Sequence, residues 1–317
     1  MTPRGRLFIL QTPFKLSPPL SWLRLHSCLG ALALLTHAGS LQAALPTDES
    51  GVIAYLTDKG LKITKNPEGH AITLFSRGAS VPTPDKPEVK GEALLTAEEY
   101  QLIAKLTQLE MAAFNLAPLR ESEWGFLKAL PKLKRLSIWH GHKFAALEQF
   151  SGLPVESLTI GGCMGLRDLN RDNPKKQRDA IMALHDLPNL KRASWYHSPL
   201  MPDDSQLTHI VSHFPKLEDL NLDFTAPSGS QTTLTPNGLA LLQKLPLTAL
   251  NIEGLGTLTP DHFKALAGIK TLKKLTLTAG KLPVPADGLA LFKQARPDVN
   301  ILTTPVSATP VALPKKK

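Results

Sequence analysis

Apolar residues recur along this chain in the order L-x-x-L-x-L, and seven copies of that order lie between residues 106 and 277. The clearest copies occupy residues 133–138, 217–222, 247–252 and 272–277. Looser copies begin at Leu106, Val155 and Leu190. Successive copies start 27, 22, 35, 27, 30 and 25 residues apart. One such unit cannot bury its own apolar side chains, so stacked units must share a core, and the pattern predicts a solenoid.

Helix signals stand between these copies. Thr96, Thr235 and Thr259 occupy positions where a hydroxyl can accept from a free amide of a first helical turn, and Pro236 and Pro260 follow two of them. Apolar residues then recur at helical spacing. The sequence therefore predicts an α/β fold in which helix and strand alternate. We expect a curved horseshoe, with parallel strands on the concave face and helices on the convex face. The longest unit contains a predicted loop, 170–176, before a helix at 177–187.

These patterns divide the chain into four segments. Residues 1–44 combine scattered basic residues, a short apolar run at 29–35 and small residues at 38–44, which predicts a signal peptide for export. An uncleaved signal anchor is the alternative. Residues 45–95 lack the repeat and are expected to form an N-terminal cap, with a loop at 81–87. Residues 96–302 hold about seven repeats and a C-terminal cap. Residues 303–317 are rich in Pro, Thr and Lys and predict a disordered tail.

The positions of the charged residues and the number of cysteines limit the partners and the disulfides that we expect. The formal net charge of +9 falls to +5 without residues 1–44, and Lys315, Lys316 and Lys317 account for three of the remaining charges. Because the excess charge lies at the two ends, we do not expect a nucleic-acid partner. We expect no transmembrane span once the signal is removed. Only Cys163 remains in the mature chain, so an intramolecular disulfide is excluded.

No pattern predicts an enzyme, a cofactor site or a metal site. His209 and His213 are four residues apart, but a zinc protease needs Glu after the first His, where this chain has Ile210. A solvated helix face is expected there, with a surface metal site as the alternative. His140 and His142 form a second pair with the same interpretation. The glycine-rich segments at 161–165 and 254–256 lack the lysine and hydroxyl of a phosphate loop.

The repeated units resemble the leucine-rich repeat superfamily, and within it the ribonuclease-inhibitor-like horseshoes, of an exported bacterial type. The resemblance covers residues 96–302. It implies Asn or Cys at the ninth position of each unit, where the side chain bonds buried backbone. The ninth positions here are Phe114, Gly141, Cys163, Ser198, Thr225, Leu255 and Gly280. Of these, Cys163 matches the family pattern, and the resemblance implies a structural role for its thiol.

The strand face turned away from the core is the candidate binding surface. If positions four and six point inward, positions three, five and seven point outward. On that face the middle units carry basic and aromatic residues around the small residues Ser157 and Gly161, and later units carry acidic ones. The candidate partner-binding residues are Arg135, Trp139, His140, Arg192, Tyr196, His197, Asp219, Asp223 and Glu253.

Two functions fit this surface. The first is an exported recognition module that binds a protein or peptide on its concave face, since Trp, Tyr and Arg are enriched at interface hot spots. The alternative is a carbohydrate-binding or cell-envelope-binding protein that uses the same aromatic residues as sugar platforms and its basic tail on an envelope polymer. A purely structural role is also open, in which Trp139 and Tyr196 stack on neighbouring strands.

Overall fold

The computed structural model describes residues 44–77, 95–169, 179–196, 203–223, 234–253, 258–278 and 284–304. Several sequence predictions lie outside these stretches. They concern the signal segment up to residue 43, the loop at 81–87, the insertion at 170–176, the glycines at 254–256 and the tail beyond residue 304.

All the described strands pair in one sheet of ten, in the order of the chain. They are β1 (Lys62–Lys65), β2 (Ala71–Ser76), β3 (Met111–Asn115), β4 (Arg135–Trp139), β5 (Ser157–Gly161), β6 (Arg192–Tyr196), β7 (Asp219–Asp223), β8 (Ala249–Glu253), β9 (Lys274–Thr278) and β10 (Asn300–Thr304). β1 and β2 are antiparallel, and every later pair is parallel. Parallel neighbours need a crossover connection, which the helical segments supply.

The described helices alternate with these strands. The α-helices are α1 (Glu49–Asp58), α2 (Ala97–Gln101), α3 (Gly165–Asp168), α4 (Asp204–His213), α5 (Pro236–Ala240), α6 (Pro260–Ala267) and α7 (Ala286–Ala295). Residues 179–182 are also helical. Single-sheet alternation of this kind is compatible with the predicted solenoid.

Two connections contain a 3₁₀ helix instead of an α-helix between strands, where the sequence predicted that helix and strand alternate. These are Glu121–Ala129 before β4 and Glu148–Phe150 before β5. The connection from β4 to β5 is short, and a 3₁₀ helix advances about 2.0 Å per residue against about 1.5 Å for an α-helix. A short crossover therefore spans the same distance with fewer residues. Further 3₁₀ turns, Leu102–Lys105 and Leu241–Lys244, extend α2 and α5.

Strand register stacks the apolar positions of each unit on those of the next. Position four is filled in successive strands from β4 to β9 by Leu136, Leu158, Ala193, Leu220, Leu250 and Leu275, which are direct neighbours. Position six is filled by Ile138, Ile160, Trp195, Leu222, Ile252 and Leu277. All twelve side chains are at most 3% exposed. The predicted inward positions are confirmed, and each aliphatic side chain contributes about 1.5–3 kcal/mol on burial.

The first unit begins three residues later than the sequence predicted. A unit starting at Leu106 would place Leu109 beside Leu136, but Ala112 lies there and Phe114 lies beside Ile138. The Glu110 carbonyl accepts hydrogen bonds from the amides of both Lys134 and Arg135, which fixes this register. The unit therefore starts at Leu109. Its outward residues are Met111 and Asn115, and its ninth position is Ala117 instead of Phe114.

The N-terminal segment continues the sheet as well as covering its end. Its predicted helix and alternating strand are present as α1 and β2. β2 is parallel to β3, with Leu74 beside Ala112, so it behaves as a further unit of the repeat. Val52 and Leu56 of α1 are fully buried in the shared core. β1 forms the sheet edge and carries exposed lysines, which oppose pairing with another edge.

Glu99 joins this N-terminal segment to the first repeat helix. Its Oε2 accepts from the Thr96 amide at 2.6 Å, and the Thr96 hydroxyl accepts from the Glu99 amide at 3.2 Å, which is a capping box. Its Oε1 accepts from the Tyr55 hydroxyl and lies 3.0 Å from the Lys59 ammonium. Burial raises the pKa of this carboxyl, but the hydrogen bonds from Tyr55, Thr96 and Lys59 outweigh it and lower the pKa to about 2.

The other predicted helix starts are also present. Thr235 accepts from the Gly238 amide at 3.1 Å. At Thr259 the partner is the His262 ring, whose Nδ1 lies 2.8 Å from the hydroxyl. The Asp204 carboxylate accepts from both the amide and the hydroxyl of Thr235, at 2.8 and 2.7 Å. This contact joins the first turn of α4 to the start of α5, so helix caps also connect neighbouring units.

The C-terminal end is closed by a buried arginine. Arg296 donates to the carbonyls of Ile269 and Leu272, at 2.5 and 2.8 Å, and pairs through two nitrogens with the Asp298 carboxylate. These carbonyls lie between α6 and β9, so the side chain fastens the last unit to the one before. β10 then continues to Thr304, two residues into the segment predicted to be a disordered tail.

The contribution of Glu99 to the free energy of unfolding should be lost in acid. Because its folded pKa of about 2 lies below its ordinary value of 4.5, the stabilisation is complete above about pH 4.5 and is lost as pH falls toward 2. Glu99→Gln should therefore cost on the order of 2 kcal/mol at neutral pH and almost nothing near pH 2. Urea unfolding of both proteins across this range measures the difference. Parallel stability profiles would contradict the assignment.

Candidate functional site

The open face of the sheet is defined here as the surface formed by positions three, five and seven of β2–β10. Position five carries mainly small polar side chains through the middle of the sheet, namely Ser137, Thr159, Ser194, Asn221, Asn251 and Thr276. All six are partly exposed. The open face therefore presents a row of hydrogen-bonding side chains at position five, flanked by the side chains at positions three and seven.

An aromatic pair lies at the N-terminal end of the open face. The Phe75 and Trp139 rings are 6.3 Å apart between centroids and tilted by 59°. They come from β2 and β4, on either side of β3, where Ala113 is fully buried although it occupies an outward position. Both rings remain partly exposed. Trp139 was predicted for this surface and Phe75 was not, because the segment containing Phe75 was assigned to the cap.

Gly161 separates Trp139 from Tyr196 as the sequence predicted. The three residues are aligned across β4, β5 and β6. Two strand spacings place the outer two backbones about 10 Å apart. The side chain of Tyr196 lies outside the described part of the structure. Trp139 thus has an aromatic neighbour on one side and the small, buried Gly161 on the other.

His140 ends β4 in a left-handed conformation, with φ of 54°. Its Nδ1 is 2.6 Å from the Asn115 Oδ1, and its amide donates to the Gly161 carbonyl at 2.8 Å. Its ring lies over Gly162, where an added Cβ would come within 2.8 Å of the ring. The ring of His142 is 6.4 Å away. His140 therefore fixes the strand exit beside Trp139, while the predicted neighbour His197 lies outside the described residues.

Alternating charges cross the sheet at position two, just before each strand. In order from the first unit they are Glu110, Lys134, Glu156, Lys191 and Glu218. Lys134 pairs with Glu110 at 3.3 Å, and Lys191 pairs with Glu156 at 2.9 Å. Hydrogen bonding to Lys191, helped by Lys134 and Arg192, lowers the pKa of the Glu156 carboxyl. We call these five residues the charge ladder; its charges largely compensate one another.

Arg135 and Arg192 lie beside the charge ladder at position three, aligned on either side of Ser157. Both are exposed. Arg135 forms no ion pair with any residue in the described part of the chain. The two arginines, Ser157 and the charge ladder line a cleft of about 410 Å³. The structure therefore brings the two predicted arginines into one polar cleft.

The predicted acidic residues are not equivalent. Glu253 Oε1 accepts hydrogen bonds from the side-chain amides of Asn221 and Asn251, both at 3.2 Å. One of its carboxylate oxygens is thus engaged within the open face. Asp219 is half-buried at position three, and the side chain of Asp223 lies outside the described residues. The alignment of Asp223 with Glu253 nonetheless confirms that the acidic units are neighbours.

The histidines of α4 do not form a solvated pair. His209 is partly buried, its Nε2 is 2.6 Å from the Leu184 carbonyl, and its ring stacks on His213 at 4.2 Å. Burial lowers the pKa of His209. Because Nε2 donates to this carbonyl, its hydrogen bond joins α4 to the preceding unit. No group of three or more His, Cys, Asp or Glu residues suited to a metal ion occurs in the described stretches.

Cys163 is fully buried and makes the backbone contacts implied by the resemblance. Its sulfur accepts from the Gly141 amide at 3.4 Å and lies 3.5 and 3.7 Å from the carbonyls of Gly161 and Ile138. These contacts bridge the exits of β4 and β5, beneath His140 and Trp139. Burial raises the pKa of the thiol to about 12, so the neutral form is strongly favoured.

No protein-family model matches the chain, and no curated protein matches it at a significant level. Within the described stretches, no helix combines the length and apolar character needed to cross a bilayer. The described strands and helices define the class as an α/β protein, with one mostly parallel sheet of ten strands in the part of the chain that the structure describes.

Cys163 should resist alkylation in the folded protein. Its burial and high thiol pKa leave almost no accessible thiolate, so modification requires local opening, and we expect a rate at least about 100-fold below that of a free thiol. Iodoacetamide labelling at pH 8 followed by peptide mass mapping measures Cys163 separately from Cys28. Denaturant should abolish the protection. Rapid labelling of native Cys163 would show that the strand exits are open.

Proposed function

We propose that this chain is a leucine-rich repeat protein of the ribonuclease-inhibitor-like type, with its open face on the concave side of a curved solenoid. Supporting this proposal are the buried apolar residues at positions one, four and six, the parallel register from β2 to β10, and the contacts of Cys163 at the ninth position. The succession of crossover helices on the other side of the strands also supports it.

We infer that the open face binds an extended segment of a protein partner. The observation that carries this proposal is the partly exposed aromatic pair, Phe75 and Trp139, on a face otherwise lined mainly by small polar side chains. Exposed aromatic side chains supply large contact areas at low conformational cost, which is typical of hot spots. The register adds Tyr196 two strands from Trp139, beyond Gly161.

The remainder of the open face suits a polypeptide. Ser137, Thr159 and Ser194 offer hydroxyls at position five, between positions three and seven, so a segment that lies along the strands passes over them. Hydroxyls both donate and accept, so they can satisfy the amides and carbonyls of a bound backbone. Asp219 and Glu253, on the following strands, then favour basic residues in the parts of the partner that flank this segment. Specificity would come from the aromatic and charged positions that flank this row.

Affinity capture from native envelope and secretome extracts tests the proposal. The full chain would be compared with a Trp139→Ala/Tyr196→Ala double variant. We expect a specific protein to be retained by the parent and its affinity to fall by more than about 1 kcal/mol, at least fivefold, in the variant. Phe75→Ala should weaken the same interaction, because it removes the ring that supports Trp139.

Leu291→Ala provides the matched control, since Leu291 is an exposed apolar side chain on α7. It should leave capture unchanged, and unfolding midpoints should agree among all the proteins. Equal capture of the verified partner by parent and double variant would overturn the aromatic site. A glycan that is lost with the double variant but retained in high salt would instead favour the carbohydrate alternative, because stacking is insensitive to screening.

Export is part of the same proposal. It rests on the basic, apolar and small-residue order of residues 1–44. N-terminal analysis of protein isolated from fractionated cells should find a chain that begins near residue 45 outside the cytoplasm. A cytoplasmic protein that retains residue 1 would contradict it.

A further inference from the structure

In the cleft at Arg135 and Arg192, the ion pairs with glutamates are formed by lysines and not by the two arginines. The charge ladder pairs lysines with glutamates, Lys134 with Glu110 and Lys191 with Glu156. Arg135 has no such pair among the described residues. Arg192 contributes only a weaker attraction to Glu156, behind Lys191. Among the described residues neither guanidinium forms an ion pair, and Arg192 is aligned with Asp219 on β7.

Alignment fixes the spacing of these two groups. Both residues pair with Ser157, one from each side, so their backbones are about 10 Å apart. Long arginine side chains can converge over a small residue across this distance. Each guanidinium presents a planar fork of donors that fits the two oxygens of a carboxylate. The Ser157 hydroxyl lies between them and is partly exposed.

Net charge decides which anion this cleft suits. Its lining holds four basic residues and three acidic ones, Glu110, Glu156 and Glu218. With Asp219 aligned beside Arg192 on the next strand, the excess of positive charge is small, which suits a singly charged carboxylate better than a more highly charged anion. A phosphate group or a polyanion would bring further negative charge against three glutamates, and like charges at such range are destabilising. The same balance disfavours nucleic acid and anionic polymers at this point.

A second distance links the cleft to the aromatic residues. Arg135 and Trp139 are the first and last residues of β4, so they are four positions apart, or about 13 Å along the strand. An extended peptide that lies along the strands would cover this distance with about four residues of its own. The cleft and the aromatic pair can therefore be occupied by one short segment.

We propose that Arg135 and Arg192 bind the carboxylate of an Asp or Glu in a peptide segment that places an aromatic or large apolar residue about four positions away, on Trp139. This inference rests on the proposed function, because it specifies the ligand of the same open face. The acidic residue gives the segment its direction along the strands. The apolar residue supplies the contact area.

A displayed library of random twelve-residue peptides, selected on the full chain, tests this pairing. Selected peptides should be enriched in an acidic residue about four positions from an aromatic or large apolar one. Arg135→Ala/Arg192→Ala should weaken such a peptide on the order of 10- to 100-fold, because it removes both guanidinium donors that the carboxylate would accept from. Replacing the peptide's acid by its amide should weaken binding to the parent and have little effect on the variant.

Lys273→Ala/Lys274→Ala is the matched control, because it removes two basic side chains from positions two and three of the unit that contains β9. It should preserve both the selection and the affinity. Peptides that depend on Trp139 but show no acidic preference would overturn this inference and leave the proposed function standing. If the folded parent chain selects no peptide that depends on Trp139, both are overturned.

Discussion

Register between parallel strands is the constraint on which the rest of this structure depends. An apolar side chain at positions four and six of one strand is buried against the same positions of the next, from β4 to β9. Because side chains alternate along a strand, a slip of one residue would turn the entire apolar row toward water. The same alignment that protects the core places Arg135 beside Ser157 and Trp139 beside Gly161. Surface chemistry in this protein is thus organised by the packing beneath it.

Sequence patterns could predict the units, the threonine caps and the inward positions, because each depends on residues close together in the chain. They could not place the first unit. Leu106 and Leu109 are both fully buried, and the small Ala112 takes the position where a leucine was expected. Backbone hydrogen bonds from the next strand decide between the two registers. These bonds depend on contacts between residues more than twenty positions apart, which periodicity does not contain.

Prediction of the candidate site was limited for the same reason. Trp139, Arg135 and Arg192 could be identified because the repeat assigns them outward positions. Phe75 was missed because its strand precedes the repeat in sequence and joins it only through pairing with β3. The charge ladder was not predicted, and a first unit starting at Leu106 would have put Thr107 at the place of Glu110. With Glu110 in place each lysine of the ladder has a glutamate partner, and neither arginine forms an ion pair with a described residue.

Alternation in the charge ladder has a consequence for how this protein can change in length. Lys134, Glu156 and Lys191 each stand between neighbours of opposite sign, and Glu110 and Glu218 form the two ends of the ladder. Loss or duplication of one internal unit would bring two lysines or two glutamates side by side, whereas loss or duplication of two adjacent units would restore the order. Repeat arrays usually gain and lose units by recombination of similar segments. In this stretch, gene rearrangements that add or remove two adjacent units would therefore be better tolerated than those that add or remove one. The alternation of charge thus favours changes by an even number of units.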